Sequence, residues 1–147
     1  MNAEKILTPE KRDIIGAAIK NAEKLTSGEI RLVVEDTCNT DVLDRAAHLF
    51  HKLKMDQTKE RNGVLIYVSV DDHKFAIIGD AGIHKIVKDD FWNKIKEEMT
   101  AHFRQQHIAE GIIHAINEAG KALSHHFPFQ TDDRDELSDE IVFGDGK

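Results

Sequence analysis

The sequence predicts an α/β fold, a three-layer α/β/α sandwich built on a small mixed central sheet. Three observations lead there. Two apolar, β-rich runs at residues 30–34 and 64–70 are separated by an amphipathic helical stretch, which is the pattern of a strand–helix–strand crossover. A third run at 74–78 follows a tight polar turn, and helical apolar spacing brackets the whole set on both sides.

The first helix starts at Thr8-Pro9-Glu10, where threonine caps, proline occupies the first helical position and the acid meets the helix dipole. Ile14, Ile15, Ala18, Ile19, Ala22 and Leu25 then recur at helical spacing until Gly28 stops the run. Residues 30–34 are largely apolar and β-branched, as in a strand covered on both faces. Val42, Leu43, Ala46, Phe50 and Leu53 mark the second helix, which returns the chain to Gly63 through a right-handed crossover and leaves the first two strands parallel. Asp71-Asp72-His73 is a hairpin turn, so the third strand runs back antiparallel. After Ala81-Gly82 comes a short helical turn, then a helix capped by Asp89 or Asp90 and marked by Phe91 or Trp92, Ile95, Met99 and Phe103. Ile108, Ile112, Ile116, Ala119 and Leu123 mark the last helix, and neither Gly111 nor Gly120 rules it out.

The length of 147 residues and an apolar fraction of 40% suit one domain, taken as residues 1–127, followed by an acidic tail at 128–147 from which Ile141, Val142 and Phe143 dock on the body. The tail holds seven acids against two bases, so most of the net charge of −7 lies there. A nearly neutral body with an acidic tail argues against nucleic acid as a partner, because phosphate binding needs a concentrated basic surface. Lys52, Lys54, Lys59 and Arg61 form the densest basic cluster and read as a solvated helix end. No run approaches the roughly 18 apolar residues of a membrane span, and the N-terminus lacks a signal-peptide layout, so the expected compartment is the cytoplasm.

A single cysteine, Cys38, excludes an internal disulfide and a cysteine-cluster zinc site. Asp44 stands where a cysteine phosphatase loop needs arginine, which removes that thiol mechanism. The nine histidines, including His102, His107, His114 and the His125-His126 pair, show no nucleophile at fixed spacing and read as surface or packing residues. Phosphate-cradling glycine loops, nucleophile elbows and zinc-protease motifs are lacking in the sequence, so any chemistry would be metal-assisted.

The predicted topology sorts the acids into two ends. Glu29, Asn62 and Asp80 fall at one end of the sheet, with Asp89 and Asp90 nearby, whereas Asp36, Asp71 and Asp72 fall at the other. Oxygen-only ligands favour a hard cation, magnesium or calcium, over zinc. The competing reading makes Glu29 and Asp80 strand-end acids paired with Lys or Arg, and Asp89 and Asp90 plain helix caps.

The stretches Thr26-Ser27-Gly28-Glu29-Ile30-Arg31, Thr58-Lys59-Glu60-Arg61-Asn62-Gly63-Val64-Leu65-Ile66 and Ile78-Gly79-Asp80-Ala81-Gly82-Ile83, in this order, resemble the TPM domain family. Trp92, Phe103, Gly111 and His126-Phe127-Pro128 fall where that family's later motifs would. The resemblance covers nearly the whole chain and implies an α/β/α sandwich, with cation binding in an acidic pocket near the strand ends. Its matching motif positions here are Glu29, Asn62 and Asp80; Asp89 and Asp90 enter from geometry alone. Arg61 stands where many relatives place an aspartate, which removes one cation ligand and implies weak binding.

Three functional expectations result. The first is a binding module that holds magnesium or calcium at Glu29, Asp80 and Asp89 or Asp90 and assists assembly or repair of a partner protein. The second is a metal-dependent phosphatase with Asp80 as ligand, Glu29 as ligand or base, and Arg31 or Arg61 for the phosphate. The third is an interaction domain that needs no ion.

Overall fold

The computed structural model describes residues 3–129 and 141–144. A short helix α1 (Ala3–Ile6) precedes α2 (Pro9–Glu23), and the chain then enters β1 (Glu29–Glu35). Helix α3 (Val42–Lys52) and a 3₁₀ turn (Met55–Gln57) lead to β2 (Gly63–Ser69), which β3 (Lys74–Gly79) follows directly. Helices α4 (Ala81–Arg104) and α5 (Ile108–His126) come next, and β4 (Val142–Gly144) ends the described chain.

Among the described residues four strands form one mixed sheet in the order β3-β2-β1-β4. β1 and β2 are parallel, with Glu29 opposite Gly63, and β3 pairs antiparallel with β2, with Gly79 opposite Val64. Alternation along the strands splits the core. Ile30, Leu32 and Val34 of β1 join Val64, Ile66 and Val68 of β2 under α2, α4 and α5, while Val33, Leu65 and Tyr67 face Ala46, Leu49 and Phe50 of α3. Helices therefore cover both faces, and the α/β/α sandwich is the architecture.

Local chemistry explains the boundaries. Thr8 caps α2 by accepting from the Lys11 N–H, and Asp41 caps α3 by accepting from Leu43 and Asp44. Asp80 caps α4, which bends at Lys88 where φ is 62°; residues 81–87 are the expected short helical turn, and Asp89 and Asp90 open the second segment. The Thr26-Ser27-Gly28 turn is tied to the end of α5. The Thr26 hydroxyl lies against the Leu123 and Phe127 carbonyls and accepts the Gly28 N–H, and the Ser27 N–H donates to the Phe127 carbonyl. A Cβ on Gly28 would stand 2.8 Å from Leu123 and 3.1 Å from the Asn62 carbonyl oxygen, so this turn needs glycine.

The tail docks by pairing Val142–Gly144 parallel to residues 33–35 of β1, and Arg12 of α2 sits over the Phe143 ring at 5.4 Å. The rest of the expected tail, residues 130–140 and 145–147, lies outside the described residues. Among the described residues no helix is long and apolar enough to cross a membrane.

Candidate functional site at the strand mouth

Glu29 begins β1, Asn62 precedes β2 and Asp80 follows β3, so parallel and antiparallel pairing bring all three to one end of the sheet. All are buried, at 4%, 1% and 6% exposure respectively. Gly63 is their common neighbour: it pairs with Glu29 on one side, and its carbonyl accepts the Asp80 N–H at 2.9 Å on the other.

The side chains divide between the faces. Glu29 lies in phase with Val33, and Asp80 with Ala76 and Ile78, which places both toward α3. Asn62 turns toward the α2–β1 connection, where its Nδ2 donates to Ser27 Oγ at 3.2 Å, and its buried Oδ1 has no hydrogen-bond partner among the described residues. Above Gly63, in the gap left by its missing side chain, stands the Met55 carbonyl oxygen, 2.9 Å from where a Cβ would be.

Asp80 is fully engaged. Arg61 Nε donates to its Oδ2 at 2.7 Å, Arg61 Nη2 donates to its Oδ1 at 2.9 Å, and the Ala81 N–H also donates to Oδ1 at 2.7 Å. These bonds, with the attraction of the carboxylate, raise the Arg61 pKa further, although the side chain is 52% exposed. Arg61 reaches this position from a left-handed backbone, φ 53°. Asp89 and Asp90 are exposed, and Asp89 lines the cleft on the α4 face rather than joining Glu29 and Asp80 on the α3 face; it lies 3.5 Å from His84 Nε2, and His84 Nδ1 accepts the Trp92 indole N–H at 3.0 Å. Asp80 and Asp89 line two adjoining clefts of about 200 and 270 Å³ that share Ile78 and Gly79. Among the described residues no group of three His, Cys, Asp or Glu side chains converges as a ready-made metal site.

The profile of the TPM domain family matches residues 1–122. The chain belongs to the TPM domain family. Its structure is similar to the NMR structure of the BA42 protein from the psychrophilic bacterium Bizionia argentinensis, with 48% identity over 93% of this chain and 94% of that one, and a TM-score of 0.86. Two N-terminal domains share the fold: one of a P. gingivalis protein (17% identity, 85% and 83% coverage, TM-score 0.71) and one of cg2496 from Corynebacterium glutamicum (12%, 79% and 73%, 0.63). Among curated proteins none matches significantly.

The opposite end of this TPM domain gathers Asp36, Asp71 and Asp72, as the topology requires. Asp36 accepts the Ala3 N–H at 2.6 Å, and Asp72 accepts the Cys38 N–H and the Ser69 hydroxyl. Those two bonds, the first above all, hold the Asp72 carboxyl below the usual range. Side-chain patterns in the TPM sequence could not reveal Met55, which offers a backbone oxygen. The only signal was Gly63 itself, a glycine at the start of a β-rich run.

Proposed function

We propose that this TPM domain is a binding module whose working end is the Glu29–Gly63–Asp80 mouth, where a divalent cation engages and supports assembly of a partner protein. The observation that carries the reading is the Met55 carbonyl oxygen over Gly63, flanked on the same face of the sheet by the carboxylates of Glu29 and Asp80. The donor set is all oxygen and suits magnesium or calcium. Among the described residues the buried Asn62 Oδ1 has no hydrogen-bond partner and adds an oxygen behind the mouth, whereas Asp89 and Asp90 are exposed and Asp89 belongs to the cleft on the α4 face. Arg61 is the competitor: a cation at Asp80 exchanges with the guanidinium, which makes affinity weak and tunable.

The test is a backbone-amide NMR titration of chelator-stripped protein with magnesium and then calcium, repeated on a Glu29→Gln, Asp80→Asn double variant. Shifts centred on Gly28, Glu29, Met55, Asn62 and Asp80 that vanish in the variant are expected. Shifts centred on Asp36, Asp71 and Asp72, or confined to residues 128–147, overturn the assignment.

A phosphoric monoester hydrolase is the second reading, favoured by the half-exposed Arg61 guanidinium beside Asp80, a group suited to a phosphoryl oxygen. Phosphate release from p-nitrophenyl phosphate that persists in excess chelator, or in Asp80→Ala, removes it.

A further inference from the structure

β3 is an edge strand, and its register with β2 fixes which backbone groups face outward. The Asp80 N–H donates to the Gly63 carbonyl, so in an antiparallel ladder Lys74, Ala76 and Ile78 bond inward to β2. The N–H and C=O groups of Phe75, Ile77 and Gly79 therefore point away from the sheet. Among the described residues no backbone group outside β3 hydrogen-bonds to them. Edge strands are commonly blunted by a proline, a bulge or an inward-pointing charge; β3 carries none of these and has only Lys74 at its start.

The same edge is straddled by the two clefts. On the α4 side the 270 Å³ cleft is walled by His84, Trp92, Asn93 and Lys96. The Trp92 ring fills the space beside Gly79 that a side chain would take, and Phe103 meets Phe75 edge-on at 5.2 Å, so α4 runs antiparallel along β3 with Lys96 between these contacts. On the α3 side the 200 Å³ cleft is walled by Ala47, Phe50, His51 and the Arg61–Asp80 pair. Successive side chains of an added strand point to opposite faces, one set toward each cleft. Among the described residues at this edge Arg61 is paired with Asp80, His51 with Asp56 and His84 with Asp89, and Lys74 acts on Asp72, which leaves Lys96 on the α4 wall as the cation that an incoming carboxylate meets.

We propose that the β3 edge is a docking site for an extended, acidic segment of a partner protein, which adds a fifth strand by bonding to Phe75, Ile77 and Gly79. Its acidic side chains face Lys96 on the α4 side and its apolar side chains face Ala47 and Phe50 on the α3 side. Main-chain bonds supply affinity and the two clefts supply selectivity. The groove needs no cation.

The probe is the peptide acetyl-(Val-Glu)₃-amide, titrated in excess chelator so that the outcome is independent of the cation site. The expected result is that the amides of Phe75, Ile77 and Gly79 shift and gain exchange protection, while Ala76 and Ile78, already bonded to β2, change little. All valine N–H groups of an extended peptide point to one edge and all glutamate N–H groups to the other. N-methylation of one set should therefore weaken binding about tenfold or more, and of the other set hardly at all. Lys96→Glu should transfer preference to acetyl-(Val-Lys)₃-amide. Equal response to the two N-methylated peptides, or shifts away from β3, overturns the proposal. Concentration-dependent protection of the same amides without peptide assigns the edge to a second copy of the chain and also overturns it.

Discussion

The Tyr67 hydroxyl donates to Glu35 Oε1 at 2.7 Å across neighbouring strands, inside the layer that α3 covers. Arg45 of α3 completes the group, with Nε on Oε1 at 2.9 Å and Nη2 on Oε2 at 2.6 Å. Burial first, and then the bond to Glu35, raises the Tyr67 pKa, so the phenol stays protonated and remains a donor. This buried polar group fastens α3 to the sheet.

Tyr67→Phe removes a bond to a charged acceptor and should destabilise the fold by about 1.5–3 kcal/mol. Glu35→Ala should cost about 3–5 kcal/mol, because it strands Arg45 and the phenol together. Urea denaturation of the two variants measures the difference, and equal losses would show that Arg45 finds another partner.

Glycines at two positions should respond with opposite signs. A Cβ on Gly82 would lie 2.1 Å from the Glu60 carbonyl oxygen and 2.6 Å from that of Arg61, so Gly82→Ala should cost about 2–3 kcal/mol. Gly16, inside α2 with nothing within 4 Å, should stabilise by about 1 kcal/mol when changed to alanine. Thermal unfolding followed by circular dichroism reads both.

Asp72 should shape the acid limb of stability. Its folded pKa is lowered, so its contribution is present above the unfolded value of about 3.9 and is lost as pH falls through the folded value. Asp72→Asn should flatten the dependence of melting temperature on pH below about 4. An unchanged slope would assign the acid limb to other carboxylates.

Arg61→Gln should tighten magnesium and calcium at the mouth. Releasing Asp80 from a solvent-screened ion pair should lower Kd only a few-fold, roughly two- to fivefold. Calorimetric titration of both proteins decides it, and no change in Kd would mean that Asp80 is not a ligand.

Much of this architecture was legible from local signals. The Thr8-Pro9 start of α2, the β-rich runs, the Asp71-Asp72-His73 turn and the restart of α4 at Asp89-Asp90 all rest on chemistry within a few residues, and the structure contains each. Helix α1 and strand β4 were not legible as elements, because four and three residues carry no periodicity. Long-range contacts hold them: the Ala3 N–H on Asp36 and the pairing of 142–144 with β1. Tail docking through Ile141, Val142 and Phe143 was nonetheless visible as an apolar triplet in an acidic run. At the mouth, the shared sheet end of Glu29, Asn62 and Asp80 followed from strand direction. Their division between faces was hidden by Asn62, which leaves the strand to reach Ser27. Pairing of Asp80 with a basic residue was the competing expectation and the structure contains it; which base was hidden, because Arg61 reaches Asp80 from a left-handed backbone that sequence spacing does not announce.

Among the described residues the sheet is clad unequally: α2, α4 and α5 share one face, while α3 and the Met55–Gln57 turn protect the other. Mechanically the molecule has a thick side and a thin one, and the thin side is the natural place for the first subglobal opening. Because the Met55 carbonyl and the Ala47–Phe50–His51 wall of the Arg61 cleft belong to that layer, loosening α3 would dismantle the mouth while the thick side stood intact.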